Sequence, residues 1–130
     1  MLGEIELAIR ELMRASLNNL ELRECIDKCL RKHYEETSQR VPLSLEEMSF
    51  NDYVSILGFK GFWEEFKDAF GGVYSVVQTK LESLPRLRNE VFHFRRDLTV
   101  GDYDTLRDVR DWLLKRIKKL EAGRKIDKSG

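Results

Sequence analysis

Residue types that bind anions and exchange protons are concentrated in one stretch of the chain, residues 85–96. Arginine presents a planar fork of donors that suits phosphate and carboxylate groups, and the imidazole of histidine titrates near neutral pH. An arginine, an asparagine and a histidine stand close together there, at Arg88, Asn89 and His93. This stretch is therefore the first candidate for a site that handles an anionic ligand.

Helical spacing divides the stretch into two faces. At about 100° per residue, one side forms an apolar stripe, made of Leu84, Leu87, Val91 and Phe94. Asn89 and His93, four residues apart, share the opposite side with Arg86 and Arg96. Arg88 lies about 140° around the helix from His93. We therefore expect the two side chains to contact a common ligand only where two copies of the chain meet.

Phe92 also falls outside the apolar stripe. An exposed phenylalanine beside a polar face suggests a symmetric contact between helices or a platform on which a base stacks. A solvated, arginine-rich helix with a surface histidine is the alternative interpretation. A short strand over residues 91–94 is disfavoured, because the sequence offers no strand to pair with it.

A second group of reactive side chains consists of Cys25, Cys29 and His33, each four residues after the last. Thiolate and imidazole both bind zinc. The outer two stand about 12 Å apart along a helix, which is too far for one tetrahedral ion. All three share a face with Ile26 and Leu30, so we expect buried thiols and a hydrogen-bonded core histidine, with no metal site.

Phosphate-loop and magnesium chemistry are also disfavoured. Gly71 and Gly72 lack the further glycine, the lysine and the Ser/Thr of a phosphate-binding loop. No cluster of carboxylates resembles a magnesium site. We therefore expect no cofactor.

Composition limits the class of protein. The chain has 130 residues, of which 42% are hydrophobic and 35% charged, and this predicts one soluble domain. No uncharged apolar run reaches the ~18 residues of a membrane span, and the first residues do not resemble a signal peptide. A cytoplasmic protein with reduced cysteines and no membrane contact is expected.

Charge is divided unevenly along the chain, although 23 basic and 23 acidic residues balance overall. Residues 1–85 carry 10 basic and 15 acidic residues, whereas residues 86–130 carry 13 and 8. A basic half predicts an anionic partner. The pairing of acidic with basic helices within one bundle or one dimer is an equal alternative.

Helical periodicity dominates and predicts an all-α fold. Helices at about 4–17 and 20–36 are expected to form an antiparallel hairpin, followed by a loop at 37–43. Ser44, with Glu47 three residues on, is the predicted cap of the next helix. An aromatic helix at 62–70 is expected to contribute Phe62, Phe66, Ala69 and Phe70 to the core.

The remaining pattern is helical from Val73 to Phe94, where Pro85 predicts either a kink or the first turn of a new helix. A last helix at about 102–120 is expected to turn five residues inward: Tyr103, Leu106, Val109, Leu113 and Ile117. The domain is expected to span residues 1–121, with a flexible tail at 122–130.

The segment from Arg88 to His93 resembles the signature of the HEPN superfamily: an arginine, a polar residue and then, after a short interval, a histidine. The context is similar as well, with an N-terminal helical hairpin, an aromatic-rich middle containing Trp63, and a Leu-Thr-Val-Gly-Asp sequence at 98–102 before one closing helix. The resemblance covers most of the chain. The chain is similar in character to HEPN modules attached to CBS-domain proteins or found in defence and toxin loci.

The resemblance implies an antiparallel bundle of four to five helices that forms a homodimer through the motif helix. It also implies a metal-independent endoribonuclease, in which His93 acts as general base or acid, Arg88 stabilises the charge on phosphorus and Asn89 orients either group. The residues expected to bind RNA are Arg86, Phe92, Arg95 and Arg96.

Other outcomes are consistent with the same resemblance. Many members keep the fold as a non-catalytic module for dimerisation, nucleotide binding or regulation of another domain or protein. An antitoxin or a sensor domain would be a further partner. One toxin subclass is silenced by modification of a tyrosine two residues after the histidine, and this regulation is not expected because Arg95 stands there.

Overall fold

The computed structural model describes residues 2–93 and 99–129, apart from the side chains of residues 60, 90–93 and 124–129. This part of the chain forms seven α-helices and a short 3₁₀ turn, Leu45–Glu47, and contains no β-strand. The helices are α1 (Leu2–Ser16), α2 (Asn19–Glu36), α3 (Phe50–Leu57), α4 (Lys60–Phe66), α5 (Tyr74–Leu81), α6 (Leu84–His93) and α7 (Val100–Ser129). The all-α class is confirmed, with more helices than the four or five expected.

The core is built around α1, whose apolar residues recur at helical spacing on one face: Ile5, Ala8, Ile9, Leu12 and Met13, all buried. α1 packs mainly against α7 and also against α4, α2 packs against α3, and α3 packs against α4 and α6. The antiparallel pairing of α1 with α2 stays a prediction.

Three of the five residues expected to point inward from α7 are buried: Leu106, Val109 and Leu113. Ile117 is partly buried against the same core. Tyr103 is 45% exposed, so its assignment to the core is wrong. It lies near the beginning of α7, about one turn before Leu106, which is the first buried residue of this helix.

α2 begins with a reciprocal cap. Asn18 Oδ1 accepts a hydrogen bond from the Glu21 amide at 2.8 Å, and Glu21 Oε1 accepts one from the Asn18 amide at 3.2 Å. Further along, His33 is exposed, so its predicted place in the inner stripe is wrong. The next residue, Tyr34, turns inward instead, because its hydroxyl donates to the buried carboxylate of Asp52 at 2.5 Å.

α3 begins at Phe50, and the prediction of Ser44 as its cap is wrong. Ser49 is the cap: its Oγ accepts from the Asp52 amide at 3.3 Å, and Asp52 Oδ2 accepts from the Ser49 amide at 3.0 Å. Ser44 makes no capping hydrogen bond. The Glu47 carboxylate, which a cap at Ser44 would use, accepts from the Leu43 amide at 2.8 Å instead.

The aromatic middle is divided into short helices. Phe66, Ala69 and Phe70 are buried as predicted, and Phe62 is partly buried. α4 ends at Phe66 rather than near 70, and the chain then turns through Gly71 and Gly72, whose positive φ angles of 100° and 86° suit glycine.

Pro85 lies in the first turn of a new helix and does not kink a longer one. The Leu87 amide donates to the Ser83 carbonyl at 3.0 Å, so Ser83 begins the helical bonding of α6. An amide in the first turn has no partner within the helix, and proline at that position therefore removes no hydrogen bond.

α7 begins at Val100, earlier than expected, because Thr99 and Asp102 cap it reciprocally. The Thr99 amide donates to Asp102 Oδ2 at 3.2 Å, and the Asp102 amide donates to Thr99 Oγ1 at 3.1 Å. The helix continues to Ser129 rather than ending near Leu120. The division into a domain and a tail stays a prediction. None of the described helices combines the length and the apolar character needed to cross a membrane.

Candidate functional site

α6 has one buried and one exposed face over its described side chains. Leu84 and Leu87 are fully buried, and the helix packs against α3. Arg86, Arg88 and Asn89 are exposed. The two-faced helix predicted from spacing is therefore confirmed over residues 84–89. Of the rest of the predicted stripe, the side chain of Val91 and all of Phe94 lie outside the described part of the chain.

All three predicted catalytic residues lie on α6, and His93 is the last residue of this helix. Asn89 precedes His93 by four residues, or about one helical turn. Arg88 precedes it by about 7.5 Å along the helix axis. The side chains of Phe92 and His93 lie outside the description, as do Arg95 and Arg96 entirely, so their predicted roles stay predictions.

Arg86 is engaged by the beginning of α7. Its guanidinium lies 3.8 Å from Asp102 Oδ1, while Asp102 also completes the cap with Thr99. The Arg86 side chain is 58% exposed and the Asp102 side chain 16%. Arg86 thus links α6 to α7, and sequence reasoning did not foresee this ion pair. The only signal for it was the Thr99-to-Asp102 capping pattern, which marks a carboxylate at the beginning of α7.

Contacts between the two halves of the chain use cations from both halves. Arg110, in the basic half, lies 4.0 Å from Glu4 of α1, whereas Lys80 of α5, in the acidic half, lies 2.9 Å from Asp108 of α7. Arg116 donates to the Ala69 and Asp68 carbonyls at 3.0 Å and 2.7 Å, which ties the turn after α4 to α7. Arg110 and Arg116 of the basic half are thus used for packing.

Cys25 and Cys29 both carry free thiols on α2, with their sulfur atoms 4.0 Å apart. Cys25 is fully buried and Cys29 half-buried. The contact lowers the pKa of Cys29, whereas the same contact and burial raise the pKa of Cys25. His33 is directed away and meets Tyr34 edge-on, with ring centroids 5.7 Å apart. Within the described residues, no three His, Cys, Asp or Glu side chains come together as metal ligands would.

Two tyrosines, the buried Tyr53 and the partly buried Tyr34, stabilise α3 through hydrogen bonds that sequence reasoning did not foresee. The Tyr53 hydroxyl donates to the Leu45 carbonyl at 2.7 Å and accepts from Arg10 Nε at 2.8 Å. Burial raises the pKa of Tyr53. Burial and the bond to Asp52 raise the pKa of Tyr34 to about 12. Both tyrosines stand at helical spacing among apolar residues, and nothing local distinguishes them from ordinary core aromatics.

A cavity of about 170 Å³ lies between α1, α2 and residues 43–45, away from the motif helix. Its floor is apolar, formed by Leu22, Ile26 and Leu45, and its rim carries Arg14 and Arg23. Arg14 forms an ion pair with Glu46. The described motif residues Arg88 and Asn89 do not line this cavity and stand on an exposed helix face.

Comparison with known proteins gave no match to a family model, to a curated protein or to a solved structure.

Proposed function

We propose that the chain is an HEPN-type endoribonuclease that cleaves RNA without a metal ion, at a site formed where the α6 helices of two copies meet. The observation that supports this best is the division of α6 itself. Leu84 and Leu87 fix the helix in the core, while Arg88 and Asn89 stand on its exposed side. A second copy therefore has access to the motif.

Helix geometry is the reason for two copies. Arg88 and His93 are about 140° apart around α6 and about 7.5 Å apart along it. One phosphate cannot easily contact both from a single helix that is about 10–12 Å wide with its side chains. Two such helices that meet would supply two arginines and two histidines to the same phosphate.

The chemistry requires no group beyond these side chains. One histidine removes the proton of the 2′-OH, and the freed oxygen attacks phosphorus. The other histidine donates a proton to the 5′-oxygen as its bond to phosphorus breaks. Arg88 stabilises the charge on the phosphorane oxygens with paired donors. The products are a 2′,3′-cyclic phosphate and a 5′-OH end.

The test is cleavage of mixed single-stranded RNA in EDTA. We expect His93→Ala to slow cleavage about 10²–10⁴-fold and Arg88→Ala about 10²–10³-fold. Arg23→Ala is the matched control, because Arg23 is an exposed arginine on α2, away from the motif. The dimer content of each variant is checked by light scattering.

Three outcomes would contradict the proposal. A wild-type dimer that leaves RNA intact would favour a non-catalytic module for dimerisation or nucleotide binding. Products that end in a 3′-OH would indicate that water, and not the 2′-OH, attacks phosphorus. A strict monomer would exclude a site shared by two copies, whether that site cleaves RNA or only binds a ligand.

A further inference from the structure

The thiols of Cys25 and Cys29 are used neither by the proposed activity nor by a disulfide. They lie one helical turn apart on α2, with a sulfur-to-sulfur distance of 4.0 Å. Cys29 is half-buried, so it can be reached from solvent, whereas Cys25 lies behind it in the core. The pair is preorganised, because both sulfurs belong to one regular helix.

A disulfide does not fit this spacing. Residues four apart on a helix have Cβ atoms about 5–6 Å apart, whereas a disulfide holds its Cβ atoms about 3.5–4.5 Å apart. Forming the bond would require α2 to distort next to Leu22, Ile26 and Leu30, which are buried in the core. The 4.0 Å separation is also roughly twice the length of an S–S bond.

A metal or metalloid atom bound between the two sulfurs fits their separation much better than a disulfide does. With metal-to-sulfur bonds of about 2.3 Å, two thiolates lie about 3.8 Å apart at a tetrahedral angle and about 4.6 Å apart in a linear arrangement. The observed 4.0 Å lies close to the first value, and a linear two-ligand arrangement needs the sulfurs to move apart by roughly 0.6 Å. A structural zinc ion takes four ligands, and no third His, Cys, Asp or Glu joins the pair among the described residues.

We infer that Cys25 and Cys29 form a bidentate thiolate site for a soft, thiophilic acceptor that two sulfurs satisfy. Copper(I) and monosubstituted trivalent arsenic share this chemistry, since soft thiolate ligands select such ions and the arsenical brings its own third substituent. Copper(I) displaces one proton from each thiol. An arsenical, R–As(OH)₂, forms two As–S bonds and releases two water molecules.

The different burial of the two thiols sets the order of binding. Cys29 is half-buried and Cys25 is fully buried, so the acceptor reaches Cys29 first and makes the second bond to Cys25. Each thiol gives up its proton as its bond forms, because the thiolate is the form that binds metals.

The probes are phenylarsine oxide and copper(I) held in a competing chelator, each titrated into the full chain and followed by native mass spectrometry. We expect one adduct per chain, with two thiols lost to a thiol reagent. Cys29→Ser should weaken binding about 100-fold or more, because the second bond is no longer intramolecular. If only one of the two probes forms the adduct, the site is assigned to that probe, copper(I) or the arsenical.

A matched control keeps two thiols at the wrong spacing. Cys29→Ser with Lys32→Cys places them seven residues apart, about 10 Å along the helix, and Lys32 is exposed, so the change should not disturb the core. Far-UV circular dichroism confirms that each variant is folded. Binding by this control as tight as by the wild type would overturn the inference. Adduct formation that requires denaturant, or ready formation of a disulfide with dilute peroxide, would overturn it as well.

Discussion

The N-terminal frame (residues 2–57) and residues 88–89 of the motif helix α6 differ in where their polar side chains lie. In the frame, polar side chains form hydrogen bonds within the protein. Asp52 accepts from Tyr34 and caps α3, and Tyr53 bonds to Leu45 and Arg10. On α6, Arg88 and Asn89 are exposed, with Asn89 opposite the buried leucines and Arg88 on the flank of that face. The difference separates internal polar residues that maintain the fold from exposed residues that a ligand can reach.

This comparison predicts that stability and activity respond to different substitutions. A change in the frame should lower the free energy of unfolding and leave the cleavage rate per folded molecule unchanged. A change at Arg88 should do the reverse. Surface substitutions of this kind usually alter stability by less than about 0.5 kcal/mol.

The largest loss of stability is expected at the centre of α1. Leu12→Ala should lower the free energy of unfolding by about 2–5 kcal/mol, because it leaves a cavity around a fully buried side chain. Urea denaturation measures the change. Leu7→Ala, on the same helix but 63% exposed, is the control and should cost far less. Equal losses of unfolding free energy at the two positions would contradict the distinction between a buried and an exposed face of α1.

Removal of the Tyr53 hydroxyl should have the next largest effect. Tyr53→Phe leaves the Leu45 carbonyl without its 2.7 Å donor in a buried setting, which costs about 1–3 kcal/mol. Tyr103→Phe is the control, since Tyr103 is largely exposed. Thermal unfolding of the two variants should differ clearly. A Tyr53→Phe protein as stable as the wild type would mean that water replaces the lost donor.

A smaller loss is expected at the cap of α2. Asn18→Ala removes the acceptor for the Glu21 amide and should cost about 1 kcal/mol. Asn18→Ser should restore most of it, because serine is a comparable cap. Failure of the serine variant to recover stability in urea would show that the asparagine has a role other than capping.

The smallest effect is expected from alkaline pH. Tyr34 has a pKa of about 12 in the folded chain against 10.0 as its ordinary value, so folding favours the protonated hydroxyl. Its contribution is complete below about pH 10 and is lost as the pH rises towards 12. Tyr34→Phe should therefore show a shallower loss of stability over this range. An identical slope would exclude Tyr34 as a source of the pH dependence.

Much of the fold could be predicted from the sequence where helical spacing and burial coincide. The inner faces of α1 and α2, and the buried leucines of α6, follow from apolar periodicity alone. The cap of α3 could not be decided locally, since Ser44-to-Glu47 and Ser49-to-Asp52 are equivalent patterns. The choice depends on tertiary bonds, namely that of Asp52 to Tyr34 and that of Glu47 to Leu43.

The candidate site was predictable only in part, for a different reason. Sequence spacing identified which side of α6 is exposed at Arg86, Arg88 and Asn89. It did not reveal that Arg86 pairs with Asp102, because the two are brought together by the packing of α6 and α7. The proposed convergence of Arg88 with the His93 of a second copy involves two chains, so the structure of one chain does not test it.

The most direct test of the composite site is inhibition of the wild type by an inactive copy. Wild-type chains and an excess of His93→Ala chains are unfolded together, refolded as a mixture and assayed for RNA cleavage in EDTA. A mixed dimer retains one His93, whereas the proposed mechanism uses two, one as base and one as acid. We predict that cleavage per wild-type chain falls steeply as the share of His93→Ala chains rises. Cleavage per wild-type chain that stays constant in folded mixed dimers would contradict a site shared between two copies.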